Sequence, residues 1–104
     1  MSDNNLNFNQ KCYELLKTIP KGKVTTYAEI AKALNTRAYR AVGNAMAKNK
    51  HLIKIPCHRV VRSNGDIGQF ALGTEKKCEL LTDEGLTITN GKIVDLNKVL
   101  FTFK

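Results

Sequence analysis

Long apolar runs are missing from this sequence: none approaches the ~18–20 residues a helix needs to cross a bilayer. The N-terminus, MSDNNLNFNQ, lacks the basic-then-apolar order of a secretory signal. Cysteine is scarce and odd in number, at positions 12, 57 and 78, with no Cys-x-x-Cys pair. That argues against a disulfide framework and for a reducing, cytoplasmic compartment, nucleoid-associated if the source is prokaryotic. Acidic residues are few, nine against seventeen Lys and Arg, for a net charge of +8. The surplus suits a polyanionic partner, nucleic acid first, and about equally a solvated surface until the basic residues are placed. Repeats, low-complexity tracts and interdomain linkers are absent too. What remains is 104 residues, 42% of them hydrophobic. That is enough for one core, which excludes general disorder, and too short for two domains.

Residues 1–7 read as a frayed start to a single domain spanning 8–104. Phe8, Cys12, Leu15 and Leu16 recur at helical spacing and predict an amphipathic helix that Pro20 and Gly22 end. Thr26 followed by Glu29 is a capping box for a short helix from Tyr27 to Leu34. Asn35-Thr36 breaks it, and Thr36 caps a third helix reaching about Asn49, with Ala38, Ala41, Val42, Ala45 and Met46 as its apolar stripe. Two short helices joined by a tight break predict a helix-turn-helix. The start of its second helix carries Arg37, Tyr39 and Arg40. Cations there oppose the helix dipole, so they point to a phosphate or base partner. The alternative is an αα-hairpin with ordinary surface arginines.

Further on, Val60, Val61 and Arg62 are β-prone, and Asn64-Gly65 predicts a type I′ hairpin with Ile67 on the return. GQFALG, 68–73, reads as a loop. Thr74 caps a fourth helix with Cys78 and Leu81 inward and Gly85 as its stop. Asn90-Gly91 turns a small hairpin between 86–89 and 92–96, and the closing VLFTF packs on the body. The expected fold class is α/β, mostly helical: a small single domain with a winged-helix-like helix-turn-helix and a short β-hairpin.

Cys57 is the most informative residue. It lies in IPCHRVV, an irregular basic segment, whereas Cys12 and Cys78 fall on apolar helix faces as small hydrophobes do. A free thiol is only a few per cent thiolate at neutral pH; His58, Arg59 and a nearby helix N-terminus would raise that fraction. A zinc site is the rival reading. Cys12, His51, Cys57, His58 and Cys78 are available, but no spacing matches a common ligand pattern, so no metal is expected.

The segment IPCHRVV resembles the active-site signature of the O6-alkylguanine-DNA alkyltransferases, the methylated-DNA–protein-cysteine methyltransferases. IPKGKVTTYAEIA resembles that family's first helix-turn-helix segment, and RAVGNAMAKN its recognition helix and following loop. The stretch from PCHRVV to LLTDEG matches the rest, so the likeness covers roughly residues 8–86 in order. The resemblance implies single-turnover DNA repair without a cofactor: guanine is flipped from the duplex, and a thiolate takes its O6-alkyl group irreversibly. It makes Cys57 the nucleophile. His58 accepts its proton through a water, Glu84 orients His58, and Asn49 braces the active-site turn. Tyr27 donates to the flipped guanine. Arg40 is the finger that fills the base stack. Small residues Ala38, Ala41, Gly43 and Ala45 let the helix lie in the minor groove, with Arg37, Tyr39 and Arg59 as further DNA contacts. Tyr27, Val60, Phe70, Ala71 and Leu72 line the substrate pocket. Partners are double-stranded DNA bearing O6-alkylguanine and other repair proteins; the chain is expected to be a monomer away from membranes.

Two departures stand out. The family usually has an N-terminal domain, and only about seven residues precede the first helix here. Its loop usually reads Gly-x-Tyr-x-Gly-Gly; here Phe70 replaces the tyrosine and Leu72 a glycine, so Leu72 is expected to crowd bulky alkyl groups. A branch called alkyltransferase-like proteins also lacks the N-terminal domain and recognises alkylated DNA, but typically has tryptophan at the cysteine position. That makes lesion recognition without transfer the alternative function, and a plain helix-turn-helix regulator a third.

Overall fold

Asn7 caps the first helix. Its Oδ1 accepts from the Gln10 amide at 2.8 Å while Gln10 Oε1 accepts from the Asn7 amide at 3.0 Å, a complete capping box for helix α1, Phe8–Leu16. This draws residue 7 out of the segment expected to fray. The computed structural model describes residues 7–50, 54–68, 70 and 72–103. Residues 1–6, His51 and Ala71 lie outside them, so the expectations for these positions go no further.

Strand β1, Thr25–Thr26, runs into α2, Tyr27–Ala33. The threonine half of the expected box forms: Thr26 Oγ1 accepts from the Glu29 amide at 3.1 Å. Helix α3, Tyr39–Ala47, begins later than the sequence predicts. Thr36 Oγ1 accepts from the Ala38 amide at 3.1 Å and so caps a turn rather than the helix. Ala38, at φ −79° and ψ 63°, then makes an inverse γ-turn closed by the Tyr39 amide on the Arg37 carbonyl at 2.8 Å. Arg37 therefore precedes α3, and Arg40 sits in its first turn. Helix α3 buries Val42, Ala45 and Met46, and the Tyr13 hydroxyl ties it to α1 by donating to the Ala45 carbonyl at 2.7 Å.

A 3₁₀ turn, Cys57–Arg59, leads into β2, Val60–Val61, which pairs parallel with β1. Side chains alternate across a strand. Val60 accordingly joins one core with Cys12, Leu16, Ile30, Val42 and Met46, while Val61 joins a second with Val24, Ile67, Leu81, Leu86 and Ile93.

The hairpin expected at Asn64-Gly65 takes another form. Only Gly65 is left-handed, at φ +91°, and the Arg62 amide donates to the Asp66 carbonyl at 2.9 Å, enclosing three residues instead of two. A type I′ turn needs both central residues left-handed. Asn90 and Gly91 meet that condition, at φ 54° and 77°, and join β3, Ile88–Thr89, to antiparallel β4, Lys92–Ile93. Helix α4, Thr74–Asp83, has Gly73 at its N-cap, so Thr74 falls inside the first turn. Helix α5, Leu96–Val99, precedes a single bridge from Leu100 to Val24; Phe101 and Phe103 pack on the first core. The result is a small, mostly helical α/β domain. Among the described residues no helix is long and apolar enough to cross a membrane.

Candidate active site and nucleic-acid interface

Pro56 determines how the chain enters the 3₁₀ turn. Its ring holds φ near −65°; at φ −78° and ψ 68° it makes an inverse γ-turn, with the Cys57 amide donating to the Ile55 carbonyl at 2.7 Å. Asn49 Nδ2 donates to the same carbonyl at 2.9 Å, so the end of α3 braces the approach to Cys57. Cys57 is 5% exposed and borders a cavity of about 690 Å³. Tyr27, Tyr39, Arg40, Gly43 and Phe70 line that cavity with it, as do Asn44, Met46, Ala47 and Arg62.

Behind the sulfur, His58 is fully buried. Its Nε2 lies 3.0 Å from Glu84 Oε2. Burial opposes a charge on Glu84, but hydrogen bonds from Arg59 and His58, and their charges, outweigh it and hold the carboxyl below its usual range. An ionised carboxylate only accepts, so His58 Nε2 carries the hydrogen. Burial also lowers the His58 pKa, against the pull of Glu84, and favours the neutral ring. Its Nδ1 is then a bare acceptor, buried and without a hydrogen-bond partner among the described residues. The Phe70 ring stands edge-on to the imidazole, centroids 6.4 Å apart.

Burial raises the Cys57 pKa. A hydrogen bond from Asn49, the charge of Lys77 and a backbone N–H oppose the rise without cancelling it. Lys77 was not expected here. It is 1% exposed on α4, and its Nζ donates to the Val60 carbonyl at 2.7 Å. Burial pushes its pKa down to about 8, with the Cys57 thiolate pulling the other way. The sequence did carry a signal: Lys77 precedes Leu81 by one helical turn and shares its inward face.

Several expectations need correction. Ala45 is fully buried in the first core and cannot touch DNA. Arg59 is committed internally: Nε and Nη2 donate to Glu84 at 2.9 and 2.7 Å, and Nη1 to the Ile19 carbonyl at 2.7 Å. It clamps the site instead of reaching for a phosphate. Leu72 is 52% exposed and is not a lining residue, so it does not crowd the cavity. Val60 is fully buried and also lies outside the lining. Arg37 and Ala38 are exposed and Ala41 half-buried, with Arg37 beside a separate shallow groove between α2 and α3. A Cβ added to Gly43 would meet nothing within 4 Å, so the helix surface stays low there. Among the described residues, no group of three or more His, Cys, Asp or Glu could hold a metal ion.

The family described as 6-O-methylguanine DNA methyltransferase, DNA binding domain, matches residues 7–86. The chain belongs to this family. The methylated-DNA–protein-cysteine methyltransferase of Thermococcus kodakarensis is 50% identical over 80 residues, which are 76% of this chain and 45% of that protein. Mycobacterium tuberculosis OGT, solved in complex with DNA, superposes with a TM-score of 0.73 at 38% identity, over 76% of this chain and 49% of that one. The chain thus spans about half or less of the length of these two methyltransferase relatives. S. pombe Atl1, solved with damaged DNA containing O6-carboxymethylguanine, superposes with a TM-score of 0.81 at 30% identity, over 98% of this chain and 97% of that one. Among alkylguanine repair proteins, then, this one resembles transferases in sequence and a lesion-bound neighbour in extent.

Proposed function

We propose that this chain repairs DNA by moving an alkyl group from O6 of guanine to Cys57. The observation that carries the reading is the Cys57 thiol on the wall of the cavity, backed by a neutral histidine whose Nδ1 is free to accept. The thiol starts protonated, since burial raises its pKa. Its proton passes, through a water, to His58 Nδ1, and the imidazolium is stabilised by the Glu84 carboxylate at 3.0 Å. Asn49 and Lys77 stabilise the thiolate, which attacks the alkyl carbon in line as the carbon–O6 bond breaks. Tyr27, lining the same cavity, donates to the departing guanine. The thiol is consumed, so each molecule acts once and draws on no cofactor.

The duplex hides O6 in its stack, so the base must be flipped out. Arg40 lines the cavity from the first turn of α3 and fills the gap, while Gly43 and Ala41 let the helix approach the minor groove. The protein acts as a monomer. A second reading, lesion recognition that recruits other repair proteins, is favoured by the near-complete superposition on S. pombe Atl1.

Intact mass after incubation with duplex containing O6-methylguanine separates the two. One added methyl, mapped to Cys57, is expected. Methyl on Cys12 or Cys78 would overturn the mechanism. Folded, reduced protein that binds the lesion without gaining mass would establish the recognition reading.

A further inference from the structure

Arg62 follows β2 and lines the cavity with Cys57, Tyr27 and Phe70. Unlike Arg59, its guanidinium has no hydrogen bond or ion pair among the described residues. The nearby acid, Asp66, turns Oδ1 to the Gly68 amide at 2.9 Å. Gly68 is left-handed, at φ +74°, and a Cβ there would lie 3.6 Å from Arg62 Nε and 3.9 Å from Lys77 Nζ. Two cations therefore converge beside one bare stretch of backbone. Lys77 is anchored on the Val60 carbonyl, which leaves Arg62 as the one facing the cavity. Its charge is felt across that space, where it pulls the Tyr27 pKa down against burial. Among the described residues the lining holds two arginines, Arg40 and Arg62, and no carboxylate.

Arg62 is exposed, and its guanidinium, beside a cavity whose described lining holds no acid, offers a fork that matches a carboxylate in two parallel bonds. We propose that Arg62 is a specificity-determining residue whose guanidinium receives the carboxylate of an O6-carboxymethyl adduct, so that the cavity favours this anionic group over a neutral alkyl group. The proposal rests on the transfer reading above. The sulfur bonds to the adduct's methylene carbon as the carbon–O6 bond breaks. The bonding pair leaves with guanine, which gains in sum the proton the thiol gave up, and S-carboxymethylcysteine remains. A carboxylate on the attacked carbon repels the incoming thiolate; Arg62 offsets that repulsion where a neutral adduct has no need of it.

The test compares single-turnover transfer from duplexes carrying O6-carboxymethylguanine or O6-methylguanine at one position, for the parent chain, Arg62→Met and Arg62→Lys, together with affinity for undamaged duplex. Arg62→Met should lower the carboxymethyl-to-methyl rate ratio about tenfold or more, the loss of one charge-assisted bond, and Arg62→Lys should recover part of it. An unchanged ratio overturns the proposal. So does a parallel fall in both rates and in undamaged-duplex affinity, which would make Arg62 a phosphate contact. If the parent chain transfers neither group, the transfer reading fails. The ratio of affinities for the two damaged duplexes then judges Arg62 alone: a drop in Arg62→Met supports it, and no change overturns it.

Discussion

Cys12 and Cys57 are buried in the same apolar core, at 0% and 5% exposure, and differ in almost everything else. Cys12 sits mid-helix, where only burial acts on its thiol and pushes the pKa to about 11. Cys57 heads a 3₁₀ turn at the edge of a cavity. Burial acts there too, but Asn49, Lys77 and a backbone N–H pull against it. Removing a thiol from water raises its pKa; fixed donors and a cation placed around Cys57 offset part of that rise. The two thiols thus differ in which polar groups the backbone delivers, not in depth.

Exchanging the two roles is the strongest way to break the comparison. Cys57→Ala should abolish transfer while leaving lesion binding. Cys12→Ala should retain transfer and lose about 1 kcal/mol of stability for the small cavity it leaves. Transfer assays with thermal melts check both, and loss of transfer in a folded Cys12→Ala variant would refute the distinction.

Lys77→Met sharpens it. Without the ammonium, the Cys57 pKa should climb further, leaving less thiolate at pH 7. The pH profile of iodoacetamide labelling at Cys57 would move up. Relief of the buried charge is offset by the Val60 carbonyl losing its donor, so a thermal melt should accompany the labelling.

The smallest effect concerns alkaline stability. The folded-state pKa of Cys12 is about 11 against 9.0 for the ordinary thiol. The unfolded chain therefore loses this proton first, and stability held below pH 9 drains away as pH rises towards 11. Cys12→Ala lacks that loss, worth roughly 2–3 kcal/mol for a two-unit difference. Melting temperatures from pH 8 to 11 should fall more steeply in the parent than in the variant; Lys77 titrates in both and drops out of the difference.

Much of this site was legible because its signals are local. The Asn90-Gly91 turn, the Thr26 cap and the Cys57 segment each declare themselves within a few residues. The rest depends on distant partners. Two-residue strands carry no period, so nothing in Val60-Val61 announces a parallel pairing with Thr25-Thr26. Arg59 reads as a surface cation until Glu84 arrives from another helix's end, and Lys77 until its carbonyl partner does. Asn64-Gly65 has the right letters for a two-residue turn, but Ile67 is drawn onto the Gly91 carbonyl and Asp66 onto Lys92, which sets a wider loop.

One peptide plane joins these observations. The carbonyl between Val60 and Val61 holds Lys77, and the two side chains it separates belong to different cores. A planar unit cannot tilt one of these without tilting the others. Under the proposed transfer, a group carried on the Cys57 sulfur would lie between the cavity and a core whose Val60 is joined through this one plane to Val61 in the second core and, by the Lys77 bond, to α4.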